Sequence, residues 1–398
     1  MKIKINPLYY LLVFAAVALV MRIIGGVDPI VVFIIAALGL IPLAKLIGDA
    51  TEELAIYTGP RLGGLLNATL GNAAELIITI IALNAGLVEL VKASITGSII
   101  GNLLLVTGFS LLAGGLKNGT QFFNRRTAGS NATLMMLAVA ALAIPSLFDS
   151  AIVSEPSREL LFSEGVAVII IIVYALSVVY TFTHKEPALS SPHEGGYTFK
   201  PAANAGDAPT DSTPSGVIIR EAAAEEVHTA RWSLGFCIAV LAGATIATAI
   251  VSEILVGAVE PVVQQLGLTE FFLGLIVIPL IGNVAEHMVA VQVALKNKME
   301  LSLAVSMGSS LQIALFVAPV LVFISLLMGG RLLLVFTPYE LIALFVAGLI
   351  TALISLDGES NWLEGAMLLA VYLIIAIAFF VLPDAAGAVH ESSALLRF

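Results

Sequence analysis

Two short stretches each place a carboxylate in the middle of an apolar segment. The first reads GNAAE at residues 71–75 and the second reads GNVAE at residues 282–286. A charged side chain at the centre of a membrane helix costs about 2.5–3.5 kcal/mol on insertion scales, so such a residue indicates a functional site. The two glutamates, Glu75 and Glu286, are therefore predicted to form the centre of one.

Side chains with amide and hydroxyl oxygens accompany both glutamates. Asn72 lies three residues before Glu75, and Asn283 lies three residues before Glu286, so each pair shares one face of a helix. The helices that follow carry further amides and hydroxyls. The predicted cation ligands are Glu75, Glu286, Asn72, Asn283, Asn102, Gln312, Ser98 and Ser309. Packing is the alternative role for the small polar residues, since they let membrane helices approach closely.

This ligand set favours a hard divalent cation. Calcium takes about 6–8 oxygen ligands at about 2.3–2.6 Å and tolerates irregular geometry, whereas magnesium gives up its water shell reluctantly. The single cysteine, Cys237, excludes an internal disulfide and a thiolate metal cluster. His287 beside Glu286 keeps manganese and zinc open, although adjacent helical residues point about 100° apart.

The charge of two facing carboxylates predicts a coupling mechanism. In a low-dielectric site their repulsion favours neutralised forms, which one divalent cation or two protons supply. If only neutralised forms reorient, the protein exchanges a cation for protons. Two sodium ions would neutralise the pair equally well, so charge alone does not select the counter-ion. No bound cofactor is expected.

Three more titratable residues are predicted to relay protons or to gate the site, namely Glu52, Glu253 and His287. Glu52 lies at the end of the second predicted span and Glu253 lies within the seventh. The alternative for each glutamate is an ordinary helix-end charge. Lys45 lies four residues before Asp49, and an ion pair between them would make both residues structural.

The composition identifies the elements that must hold these residues. Of the 398 residues, 59% are hydrophobic and 12% are charged, and the mean hydropathy is +1.04. Soluble domains average about 25% charged residues, so we predict an all-α polytopic membrane protein. Since a span needs about 20 mostly apolar residues, eleven spans are predicted. They are residues 8–24, 29–57, 64–88, 90–116, 127–148, 162–183, 232–257, 268–295, 299–328, 334–356 and 361–382.

One long polar segment, residues 184–230, interrupts the apolar pattern. Its first part is rich in Pro, Ser, Gly and Asp and is typical of a flexible linker. Its end favours a helix that carries Glu221, Glu225 and Glu226 close together. This helix is predicted either to lie solvated on the membrane surface or to form a regulatory acidic patch that senses cation.

The distribution of lysine and arginine predicts the orientation. With the N-terminus inside, twelve of these residues fall in inner segments and five in outer ones, as the positive-inside rule requires. The N-terminus and the linker are therefore expected in the cytoplasm, in the plasma membrane if the chain is prokaryotic. The apolar run at residues 8–24 is expected to be a retained helix rather than a cleaved signal peptide.

The chain repeats itself at a shift of 211 residues. This shift places Gly71-Asn72 on Gly282-Asn283, Glu75 on Glu286, and residues 97–98 on residues 308–309. Each half holds five predicted spans, an odd number, so the halves enter the membrane from opposite sides and should share a site near the midplane. The predicted units are an extra helix at residues 1–28, repeats at 29–183 and 231–398, and the linker at 184–230.

Other functional classes fit the sequence less well. The net charge of −10 and the absence of a basic patch argue against nucleic acid as a partner; the expected partners are a divalent cation, its counter-ion and the lipid bilayer. An intramembrane enzyme is disfavoured because neither a His-Glu-x-x-His nor a Gly-x-Ser-x-Gly motif occurs. A cation channel is the remaining rival, since carboxylates also line pores. The sequence does not decide the oligomeric state.

The paired motifs at residues 71–75 and 282–287 resemble those of the calcium/proton exchangers, the CAX branch of the calcium/cation antiporter superfamily. Residues 98–102 and 309–312 resemble the polar stretches that follow those motifs. The resemblance implies that Glu75 and Glu286 bind calcium and carry protons by alternating access. Sodium/calcium exchangers instead place Ser or Thr and Pro before the acidic residue. This sequence departs from a strict repeat at one ligand position. The shift of 211 residues places Asn102 on Ile313, so the polar residue of the second half, Gln312, lies one position earlier than the exact equivalent of Asn102.

Overall fold

A computed structural model describes residues 7–152, 156–183, 230–330 and 332–382. The residues predicted as a regulatory acidic patch, Glu221, Glu225 and Glu226, lie outside the described residues, so that patch stays a prediction.

The first half of the chain is helical throughout its apolar segments. A short 3-10 helix, Pro7–Leu11, leads into α1, Leu12–Ile24. The elements that follow are α2 Pro29–Leu70, α3 Ala73–Asn84, α4 Val88–Ile100, a π-helical segment Gly101–Val106, α5 Thr107–Asn118, β1 Gln121–Phe122, α6 Arg125–Ile152 and α7 Pro156–Thr183.

The second half repeats this order with local differences. Its elements are α8 Leu234–Gly257, α9 Val259–Leu266, α10 Glu270–Phe272, a π-helical segment Leu273–Val277, α11 Ile278–Leu295, α12 Met299–Gln312, a π-helical segment Ile313–Val317, α13 Ala318–Leu327, α14 Pro338–Ile354, β2 Glu359–Ser360 and α15 Trp362–Val381. The two short strands pair antiparallel, with Gln121 opposite Ser360.

This architecture confirms the predicted all-α polytopic membrane class. Within the described ranges, nine helical segments are long and apolar enough to cross a membrane, and α3 and α14 are shorter apolar helices. The predicted total of eleven crossings stays a prediction, as do the limits of the repeats and of the linker.

The predicted boundary between the second and third spans coincides with a reversal of the chain, and the apolar segment that could cross a membrane is Pro29–Thr58. We expected a break at residues 58–63, yet the backbone remains helical from Pro29 to Leu70. The helix instead bends back on itself, because a β-carbon on Gly63 would lie 2.8 Å from the β-carbon of Ala55. Residues eight apart in a straight helix are separated by about 12 Å along the axis.

The two halves share a backbone irregularity that the repeat predicts. Adding 211 to the first π-helical segment, 101–106, gives 312–317, which overlaps the π-helical segment at 313–317. Both segments directly follow the helices α4 and α12 that carry the polar stretches of each half. Since π-helical turns are rare and frequently lie at functional sites, their matching positions indicate that the halves are structural repeats.

The helices pack so that the two halves interleave. Helix α2 packs along α8 and α1, α11 packs against α2, α5 and α12, and α4 packs on the π-helical segment 273–277. The last contact is very close, because a β-carbon on Gly97 would lie 1.9 Å from the carbonyl oxygen of Leu275. The polar residues of both motifs are thereby brought into the protein interior.

Candidate cation site

A break between two helices positions Glu75. Helix α2 ends at Leu70, residues 71–72 form a turn, and α3 starts at Ala73, which puts Glu75 in the first turn of α3. The amide groups at a helix N-terminus have no partners within the helix and favour a negative charge nearby. Glu75 is buried, with 7% of its surface exposed. The helix is therefore interrupted at Gly71 and Asn72, immediately before the first glutamate.

The second motif lies within a continuous helix. Helix α11 runs from Ile278 through Gly282 and Glu286 without a break, and the irregular backbone lies upstream in the π-helical segment 273–277. Pro279 follows this segment and lacks the amide hydrogen that a regular helix would use. The helix therefore continues through Gly282, and the irregular backbone of this half lies upstream of the motif.

The glycine of one motif contacts the glutamate of the other. A β-carbon on Gly282 would lie 3.1 Å from Glu75 Oε1 and 3.3 Å from its Cγ. Glu286 lies one turn beyond Gly282 on α11, and α11 packs against α3, the helix that carries Glu75. The two motifs therefore contact each other across the halves, while the roles of the two glutamates stay a prediction.

Amide and hydroxyl groups join the halves in two equivalent contacts. Ser309 Oγ donates to Asn72 Oδ1 over 3.4 Å, and Asn283 Nδ2 donates to Ser98 Oγ over 3.2 Å. The shift of 211 residues converts Asn72 into Asn283 and Ser98 into Ser309, so each contact is the repeat partner of the other. Such an exchange of partners is what a two-fold relation between repeats produces.

The remaining two predicted amide ligands extend this network unequally. Asn72 Nδ2 donates to Gln312 Oε1 over 2.5 Å, and Asn102 Nδ2 donates to Ser309 Oγ over 3.0 Å. Asn102 is almost fully buried and Gln312 lines a cavity. The predicted departure from symmetry between these two residues is thus visible in their surroundings.

Sequence reasoning missed one polar residue of this network. Thr107 Oγ1 donates to Ser306 Oγ over 3.0 Å and to the carbonyl oxygen of Asn102 over 3.0 Å. Thr107 lies five residues after Asn102, a spacing that does not share a face in a regular helix. The π-helical segment 101–106 changes this register, so the sequence periodicity gave no signal for it.

Three oxygens at the centre have no hydrogen-bond partner among the described residues. They are Glu75 Oε2, Glu286 Oε2 and Asn283 Oδ1, and all three atoms are buried. A buried oxygen without a partner costs about 1–3 kcal/mol, and a cation or a proton would remove this cost. The described residues contain no cluster of three or more His, Cys, Asp or Glu side chains. A cation here would therefore need amide, hydroxyl, backbone or water oxygens as well.

A cavity of about 250 Å³ leads to this centre from one side. Glu286, Ser309 and Gln312 line it together with Gly71 and Gly282. Further along its wall lie Lys45, Gly48, Glu52 and Gly308. The predicted gate residue Glu52 therefore shares a solvent-accessible cavity with the predicted ligand Glu286.

The other two predicted relay residues lie in different surroundings. His287 is half-buried, and its buried Nε2 has no hydrogen-bond partner among the described residues. Glu253 is 58% exposed and forms a two-bond ion pair with Arg22, with N–O distances of 2.8 and 2.9 Å. The structure brings Glu52 to the cavity but places Glu253 at the surface, apart from it.

Comparison with known proteins gives the family. The profile of the sodium/calcium exchanger protein family matches residues 29–183 and 236–381. The chain belongs to this family. Within it, the chain is 47% identical to a Ca²⁺/H⁺ antiporter of Aphanothece halophytica over 359 residues, which cover 89% of this chain and 91% of the relative.

Two further relatives support a place among the calcium/proton exchangers. The Ca²⁺/H⁺ antiporter ChaA of Bacillus subtilis is 41% identical over 381 residues, covering 95% of this chain and all of the relative. A crystal structure of the Ca²⁺/H⁺ antiporter protein YfkE is 37% identical and superposes with a TM-score of 0.74, covering 94% of this chain and 100% of that one. The resemblance to the CAX branch is thereby confirmed.

Proposed function

We propose that this chain is a secondary antiporter that exchanges Ca²⁺ for H⁺ by alternating access, with Glu75 and Glu286 binding either the cation or protons. It is a transporter rather than an enzyme, and calcium is its substrate. The observation that carries the proposed site is the set of three buried oxygens without partners, Glu75 Oε2, Glu286 Oε2 and Asn283 Oδ1. All three are acceptors, and hard oxygen ligands suit calcium.

The difference between two equivalent glycines supports alternating access. Gly97 packs tightly on Leu275, whereas its repeat partner Gly308 has no neighbouring atom within 4 Å of a built β-carbon and lines the cavity. A transporter made of inverted repeats should be closed on one side and open on the other in each end state. The closed contact at Gly97 and the open cavity at Gly308 fit this expectation.

The orientation of the open side follows from the charge distribution. The cavity is lined by Glu52, which lies near the end of the predicted second span, residues 29–57, that the positive-inside rule assigns to the cytoplasm. Arg22 and Glu253, assigned near the opposite face, line a separate cavity. We therefore expect this conformation to open toward the cytoplasm, with the N-terminus on the same side and, in a prokaryote, in the plasma membrane.

The counter-ion is the point on which rival functions differ. A sodium- or potassium-coupled exchanger would use the same fold, and a channel would use similar carboxylates. The relatives described above, 41–47% identical, are Ca²⁺/H⁺ antiporters by name, which favours protons.

Calcium uptake into proteoliposomes with an acidic lumen, in medium free of sodium and potassium, tests this function. We expect uptake that continues against a calcium gradient and stops when a protonophore dissipates the pH gradient. Uptake that requires sodium or potassium would support the coupled rival. Flow only down the calcium gradient would support a channel.

A further inference from the structure

A lysine lines the same cavity as the proposed calcium ligand Glu286. Lys45 lies on α2, and the positions Lys45, Gly48 and Glu52 all line this cavity because residues three and seven apart share a helix face. The side chain of Lys45 is 15% exposed. A fixed positive charge in a passage that a divalent cation must cross opposes that cation.

The ammonium of Lys45 is held in place by two further residues. Asp49 Oδ1 accepts a hydrogen bond from Lys45 Nζ within an ion pair, and Asp49 Oδ2 accepts one from the hydroxyl of Tyr9. Tyr9 belongs to the short helix Pro7–Leu11, outside the two repeats. Both oxygens of Asp49 are thus occupied, and the predicted ion pair between Lys45 and Asp49 is present.

The charges along the cavity wall oppose one another. Glu52 and Glu286 attract calcium, while Lys45 repels it. Opposite unit charges in a partly solvated site interact appreciably over about 10 Å. The position of the ammonium therefore affects how strongly the cavity attracts a cation.

We infer that the charge of Lys45 sets the apparent calcium affinity of the open side, with Asp49 as the residue that positions it. Asp49, held by Tyr9, fixes the ammonium in an ion pair, so that calcium binds at Glu52 and Glu286 with an affinity weakened but not abolished by Lys45. Since Glu286 is a ligand only in the proposed function, this role of Lys45 rests on that function. In this proposal the N-terminal helix Pro7–Leu11 also contributes to calcium affinity, because its Tyr9 orients Asp49 from outside the two repeats.

Calcium uptake into inside-out vesicles, driven by an acidic lumen, measures this effect as the KM for calcium. Lys45→Met keeps the length of the side chain but removes its charge, and we expect it to lower the KM about fivefold. Asp49→Asn releases the ammonium toward the glutamates, and we expect it to raise the KM about fivefold. Tyr9→Phe should shift the KM in the same direction as Asp49→Asn, but less.

A double variant separates the restraint from the charge of Asp49 itself. In the Lys45→Met background, Asp49→Asn should have less than half its effect on log KM, because no ammonium remains to be released. An equal effect in both backgrounds would mean that Asp49 acts through its own charge, and would overturn its role in positioning Lys45.

Two controls keep the test decisive. Lys45→Arg keeps the charge and should retain the wild-type KM. Lys92→Met removes a lysine whose side chain is also 15% exposed but pairs with Glu89 elsewhere over 3.3 Å, so it should leave the KM unchanged. If Lys45→Met fails to insert, Lys45→Gln with the same readout replaces it. An unchanged KM in the neutral Lys45 variant overturns the role of Lys45, whereas a wild type without proton-driven uptake overturns the proposed function itself.

Discussion

Gly282 lies directly against the carboxylate of Glu75, so that a β-carbon on the glycine would lie 3.1 Å from Glu75 Oε1 and 3.4 Å from its Cδ. These residues belong to opposite halves of the chain, 207 positions apart by their numbers. The contact explains why a glycine precedes Glu286 by four residues: it leaves room for the glutamate of the other half. The two motifs are thus adjacent because the backbone of one motif, at Gly282, lies against the carboxylate of the other, at Glu75.

Gly282→Ala should therefore impair transport. The added methyl group displaces the carboxylate of Glu75 by a few tenths of an ångström. A displaced carboxylate is no longer well placed to bind the transported cation. We expect proton-driven calcium uptake to fall about tenfold in kcat/KM. Gly243→Ala in α8 is the matched control, because a β-carbon there meets no atom within 4 Å. Equal uptake in both variants would contradict the contact's importance.

The equivalent glycines Gly97 and Gly308 should respond differently to alanine. A β-carbon on Gly97 collides with the carbonyl oxygen of Leu275 at 1.9 Å, so Gly97→Ala should destabilise the conformation described above. Gly308→Ala fits this conformation without contact but should collide when the open side closes. We expect Gly308→Ala to bind calcium near normally yet to transport at least about tenfold more slowly.

Binding and transport assays on the same two variants check this prediction. Calcium binding to detergent-purified protein by calorimetry gives the affinity, and uptake into proteoliposomes gives the rate. If Gly308→Ala transports at the wild-type rate, the side lined by Gly308 does not close as tightly as the side at Gly97.

The amides Asn283 and Gln312 should contribute unequally to calcium affinity. Asn283 Oδ1 is buried and without a partner among the described residues, whereas Gln312 Oε1 already accepts a hydrogen bond from Asn72 over 2.5 Å. Asn283→Ala should raise the KM for calcium about tenfold, which corresponds to the loss of about 1.4 kcal/mol of binding free energy. Gln312→Ala should raise it about threefold or less. The reverse ranking in initial-rate measurements would show that Gln312 is the direct ligand.

The sequence predicted the parts of this site that depend on local chemistry. Gly71 and Asn72 favour an interrupted helix, and the structure ends α2 there. The repeat of the two motifs predicted that the glutamates meet, because inverted repeats place equivalent positions at their common interface. The high apolar content was sufficient to predict the membrane-spanning helical class.

Features that depend on distant contacts were not predictable from the sequence. Arg22 pairs with Glu253 across 231 positions of the chain, and no periodicity links the two residues. The contrast between Gly97 and Gly308 reflects one conformation of the transporter. Two equivalent sequence positions cannot indicate which of them is packed and which is open.

Calcium-induced proton release tests most directly whether one pair of carboxylates binds both ions. Purified protein in weakly buffered detergent solution is mixed with calcium, and the released protons are measured with a pH indicator at a series of starting pH values. The wild type should release protons at acidic pH, and the release should decrease as pH rises, because the carboxylates are then already deprotonated before calcium binds. Glu75→Gln and Glu286→Gln should each greatly reduce both calcium binding and proton release while the protein remains folded. Undiminished proton release on calcium binding in either variant would contradict a shared site at Glu75 and Glu286.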